Sequence, residues 1–172
     1  MNLEKMLEAQ KELDLEICKK ANIKRASYID LKMALCSELS ELANEWAGFK
    51  YWKLSHRIFD NTLLEEWADC MHIALTLFNM STVGIKKQDL EFIENSTIYV
   101  HITKSRNAIT SVFLECYRKI ATGEKRVPRA TAIALLINII KIGKMLGYTE
   151  EELEKAYYNK RYINIKRVKE GY

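Results

Sequence analysis

One proline and six glycines are all the helix breakers this 172-residue chain contains. Inside a helix, relative to alanine, proline costs about 3 kcal/mol and glycine about 1 kcal/mol. So few breakers leave room for long uninterrupted helices, which must bury apolar faces repeating every three to four residues. Leu3, Met6, Leu7, Leu13 and Ile17 give that spacing over 3–17, and residues 22–24 read as a loop. A second helix is expected over 27–46, with Ile29, Met33, Leu35, Leu39, Leu42 and Trp46 apolar and Gly48 as its stop. Asp60 or Asn61 caps a third, which runs through Trp67, Met71 and Phe78 to about Ser81 before Gly84.

Residues 88–98 give no clear signal. A helix is expected over 102–121, stopping at Thr122 and Gly123. After Pro128, residues 129–146 are apolar on several faces, as in a central helix or a dimer contact, and Gly147 ends them. Thr149 and Glu152 form a capping-box pattern that opens a last helix towards Lys169. The expected fold is therefore all-α, a helical bundle in one domain spanning 1–172.

At 48% hydrophobic and 29% charged, the composition is that of a soluble globular protein. The longest apolar stretch, 131–140, is too short to cross a bilayer. No cationic, apolar leader is present, so a cytoplasmic protein without membrane attachment is expected. Cys18, Cys36, Cys70 and Cys116 are scattered, with no CxxC and no clustered histidine, which argues for reduced thiols and against zinc. The net charge of +4 is too weak to indicate stable nucleic-acid binding. Basic residues do gather near the C-terminus, at Lys155, Lys160, Arg161, Lys166, Arg167 and Lys169, where they could fold back onto a phosphate-bearing ligand.

Two carboxylate pairs carry the chemical signal. Glu38 with Glu41, and Glu66 with Asp69, each stand three residues apart among apolar neighbours. Such a pair shares a helical face. An isolated ExxE is usually a solvated face, but here the pairs lie on consecutive helices that could bring them to one seam. Four acids facing one another call for a divalent cation. Oxygen-only ligands suit Mg²⁺, with Mn²⁺ as a substitute. Such an ion polarises phosphoryl groups and lowers the pKa of bound water.

ExxE followed about two dozen residues later by ExxD resembles the signature of the all-α nucleoside triphosphate pyrophosphatases, which include the dimeric dUTPases, the MazG proteins and the dCTP pyrophosphatases. The C-terminal segment resembles the dimeric dUTPase pattern YxxKNxxNxxRQxxGY. Tyr157, Lys160, Asn164, Arg167, Gly171 and Tyr172 match it, while Arg161 replaces an Asn and Val168 a Gln. The stretch from Gln10 to Asp14 is similar to the family's QxxLD element. The aromatic stretch Phe49, Tyr51 and Trp52 looks like its segment between the acidic helices, and His72 fits an ExxDxxH tendency.

The resemblance implies a homodimer that uses Mg²⁺ to hydrolyse dUTP, and dUDP as well, to dUMP by attack of a metal-activated water. It implies that Glu38, Glu41, Glu66 and Asp69 hold the metal, with Glu41 a candidate to orient or deprotonate the water. Lys160 and Arg167, two turns apart, would meet the phosphates. Asn164 between them, and Gln10 from the first helix, would read the base, since an amide both donates and accepts. Trp52 would stack on the nucleoside or sit in the core. His72 would be either a buried histidine or a substrate contact. Arg161 and Val168 leave the acids untouched and bear on phosphate or base contacts. A MazG-like or dCTP-directed enzyme, and a non-catalytic helical protein, are the alternatives. A regulatory protein partner is compatible with either.

Overall fold

The computed structural model describes residues 1–53, 61–81, 84–103, 105–121 and 125–171. Among them are seven helices and no strand: α1 (Leu3–Lys20), α2 (Tyr28–Trp46), α3 (Asn61–Ser81), α4 (Lys87–Thr97), α5 (Arg106–Ile120), α6 (Arg129–Met145) and α7 (Glu150–Glu170). No single helix there is long and apolar enough to cross a membrane. The expected all-α architecture is present.

Local chemistry sets most boundaries. Asn2 caps α1, Ser27 caps α2 through Ile29 N and Asp30 N, and Thr149 with Glu152 forms the complete capping box of α7. Other boundaries differ from the sequence reading. Helix α5 begins at Arg106 rather than 102, because Thr103 N bonds Met145 O and Ser105 supplies the cap through Ala108 N. Residues without a clear signal form α4, held by a bidentate Arg129–Asp89 ion pair. The α2 stop is Ala47, which takes the left-handed conformation at φ 55°. Gly48 is needed for space, since a Cβ there would lie 2.1 Å from the Trp46 ring. Asp60, Thr122, Gly123 and Tyr172 lie outside the described residues.

Helix α3 is the spine. Leu63, Trp67, Met71, Leu75 and Phe78 are all fully buried, each worth roughly 1.5–3 kcal/mol of transfer free energy. It packs against α1, α2, α6 and α7. Trp67 Nε1 donates to Ile139 O at 2.8 Å. Its indole is admitted by Gly143, where a Cβ would stand 2.7 Å from that same nitrogen. By contrast Ile29 and Met33, expected on the apolar face of α2, are 67% and 71% exposed.

Specific contacts give the helix directions. Tyr28 at the start of α2 bonds Met80 O near the end of α3 at 2.6 Å, while Glu38 sits by Asp69, so the two run antiparallel. Asn79 reaches Leu7 O, and Gln10 reaches His72 and Thr76, so α1 also opposes α3. On α7, Tyr157 meets Met6 O and Arg161 meets Ala9 O, so α7 runs along α1. The middle of α3 is thereby enclosed by α2, α1 and α7.

Candidate active site

The antiparallel α2–α3 seam brings Glu38, Glu66 and Asp69 together, each offering an oxygen within 4.8 Å of the others. All three are half-buried. Like charge at this spacing disfavours ionisation. Glu38 is pushed up to about 7, by burial first and then by Asp69, Glu41 and Glu66. Burial, followed by Asp69 and Glu41, also raises Glu66. Asp69 is raised by burial against the opposing pull of Lys160 and Arg167. Lys160 Nζ lies 2.5 Å from Asp69 Oδ2. Three hard oxygen donors that resist carrying their charges side by side fit a divalent cation of the Mg²⁺ or Mn²⁺ type.

Glu38, Asp69 and Asn164 line a cavity of about 740 Å³. Part of its wall belongs to a polar cluster between α1, α3 and α7. Gln10 Nε2 donates to Asp14 Oδ1 at 2.8 Å and to Thr76 Oγ1 at 3.1 Å. Gln10 Oε1 accepts from the Tyr157 hydroxyl at 3.2 Å and lies 2.6 Å from His72 Nδ1. An amide oxygen only accepts, so Nδ1 carries the proton. Burial pushes His72 down to about 4 and keeps it neutral. Its Nε2 is buried with no hydrogen-bond partner among the described residues.

A family model described as dUTPase matches residues 2–172. The chain belongs to the dUTPase family. No curated protein matches it.

Family membership carries dUTP hydrolysis as the family-level activity. In this all-α member of the family the carboxylates converge only in part. Glu41 is exposed at the rim, accepting from Ser37 Oγ at 3.2 Å, and its charge still acts on Glu38, Glu66 and Asp69. Lys160 and Asn164 face the acids and the cavity, and the Arg167 charge reaches Asp69. Trp52 is 62% exposed, outside the core, packed edge-on against Phe49 and Tyr51, and is not among the described residues that line this cavity. The core alternative for Trp52 is thus wrong.

Gln10 and His72 do line the cavity. Both donors and both acceptor positions of Gln10, however, are occupied within the protein. Arg161, the departure from the family tail, points to α1, donating to Ala9 O at 3.1 Å and Glu12 Oε2 at 2.9 Å. Sequence reasoning missed Asp14 and Thr76 as cavity residues. Asp14, pushed up to about 6 by burial, is held on one oxygen by Gln10 and Thr76. The four-residue spacing of Gln10 and Asp14 on one helix was the available signal.

Proposed function

We propose that this protein is a Mg²⁺-dependent dUTP diphosphatase that converts dUTP to dUMP and pyrophosphate, acts on dUDP as well, and works as a homodimer. One observation carries the reading: three carboxylates lie within 4.8 Å of one another, and two of them, Glu38 and Asp69, line a nucleotide-sized cavity. Glu38, Glu66 and Asp69 would hold the cation, with Glu41 completing the set from the rim. Bound there, a divalent ion would polarise the phosphoryl group and acidify water.

The chain's own residues supply the rest. Lys160 and Arg167 place positive charge where negative charge builds on the phosphates. Glu41, exposed to solvent and one helical turn from Glu38, is placed to orient the attacking water or take its proton. Asn164 offers the base edge a donor and an acceptor. Asp14 offers a carboxylate oxygen beyond the one shared by Gln10 and Thr76. The hydrogen-bonded cluster around Gln10 fixes that wall.

The test is a panel of dUTP, dUDP, dCTP, TTP and purine deoxynucleotides, with pyrophosphate or phosphate release measured in Mg²⁺ and in EDTA. Hydrolysis of dUTP above all others, lost in EDTA, supports the reading. Faster turnover of dCTP or a purine nucleotide would overturn the choice of base. No turnover of any nucleotide would favour the non-catalytic alternative.

A further inference from the structure

Lys160 ties two parts of the site together. Its ammonium sits on Asp69 Oδ2 at 2.5 Å, with the two side chains only 17% and 20% exposed. Asp69 is one of the three acids within ligating distance of a common point. Lys160 also shares the α7 face of Asn164, which lines the cavity. Lysine is a point charge on a flexible four-carbon stem, so its head can move where its backbone does not.

We propose that Lys160 is a built-in counter-ion of the carboxylate cluster, displaced from Asp69 by the divalent cation and handed to the substrate phosphates, so that metal and nucleotide bind cooperatively. An ammonium 2.5 Å from Oδ2 and a Mg²⁺ ion about 2.1 Å from an oxygen of Asp69 would share one carboxylate. The two cations would repel, so binding of the metal would favour release of the ammonium. Phosphate in the cavity would draw the released ammonium to itself. Whichever ligand binds first meets the displacement cost and spares the second, and linkage makes the effect reciprocal. Lys160 is in this sense a positioning residue for the metal as well as a phosphate contact.

The proposal rests on a divalent cation in the Glu38, Glu66 and Asp69 cluster, and its test separates the two ideas. Mn²⁺ affinity of the full chain is measured by the signal of free Mn²⁺ in electron paramagnetic resonance, with and without α,β-imido-dUTP. Lys160→Met should bind Mn²⁺ about tenfold more tightly than the parent when the nucleotide is left out. The enhancement of Mn²⁺ affinity by the analogue should shrink by a similar factor. A lysine that stayed on Asp69 would leave that enhancement unchanged, and this result, or an unchanged Mn²⁺ affinity, overturns the proposal alone. Failure of both proteins to bind Mn²⁺ overturns the metal reading and the proposal together. In the unaltered protein, Mg²⁺ alone should shift the lysine Cε resonance that Lys160→Met removes or, if that variant does not fold, the one Lys160→Arg removes. A resonance fixed throughout the titration overturns the proposal.

Discussion

His72 stacks on Tyr157, with ring centroids 4.5 Å apart and planes 30° from parallel. The Tyr157 hydroxyl donates within reach of Met6 O at 3.0 Å and Gln10 Oε1 at 3.2 Å, so one phenol joins α7 to α1 and, through His72, to α3. Tyr157→Phe keeps the stack and deletes the donor. Stranding a buried carbonyl costs about 1–3 kcal/mol. Urea unfolding should show a lower midpoint, and kinetics a higher KM for dUTP with kcat little changed. An unaltered midpoint would show that the hydroxyl holds nothing together.

Protonation of the acidic seam should leave a mark on stability. The Glu38 carboxyl is pushed up to about 7 from an ordinary 4.5, by burial first. Folded protein therefore binds this proton where unfolded protein has released it. The associated stability is complete below about pH 4.5 and is lost as pH rises towards 7. His72, pushed down to about 4 from 6.5, acts in the opposite sense. The informative quantity is thus the difference between proteins. In EDTA, Glu38→Gln should gain thermal stability over the parent between about pH 5 and 7, and the gain should level off above that. A pH-independent difference would refute the raised carboxyl.

Gly143 gives a prediction about packing. A methyl group there would stand 2.7 Å from both Trp67 Nε1 and Leu153 Cδ2. Gly143→Ala should cost about 1–3 kcal/mol by overpacking, read by urea unfolding. Trp67 directly follows Glu66 in sequence, so Mg²⁺ affinity should fall with it. A stable variant with unchanged Mg²⁺ affinity would show that α3 is seated by other contacts.

Arg161 is held to Ala9 and Glu12 on α1. Arg161→Asn, which installs the residue of the family pattern, should lower stability by about 1 kcal/mol. The ratio of kcat/KM for dUTP over dCTP should stay the same. A change in that ratio would place position 161 at the base after all.

The all-α fold was legible because breakers are scarce and because capping chemistry is local: the Thr149–Glu152 box stands where the sequence puts it. Burial was less legible. Ile29 and Met33 obey the helical period of α2 yet stay exposed, since periodicity marks a face without saying whether another element covers it. The α2 stop was misread by one residue, because Ala47 takes the turn conformation and Gly48 supplies the clearance.

Three of the four acids converge as their spacing suggested. Glu41 stays at the rim, for the small rotation that separates them depends on how α2 beds against α3. The cluster of Gln10, Asp14, His72, Thr76 and Tyr157 draws on three helices, and no local pattern announces such a meeting. The tail motif located Lys160 but could not reveal that its partner is Asp69.

Gln10 and Tyr157 bond across 147 positions of sequence, and this distance gives the protein a history. As the chain leaves the ribosome, the acids of α2 and α3 emerge more than ninety residues before Lys160. A growing chain therefore carries a knot of negative charge without its counter-ion. Domains acquire structure as they are synthesised, yet this chamber lacks Asn164 until α7 is released. Prematurely terminated copies would keep the acids and lack Lys160 and Asn164, which separates the ability to attract magnesium from the ability to consume a substrate.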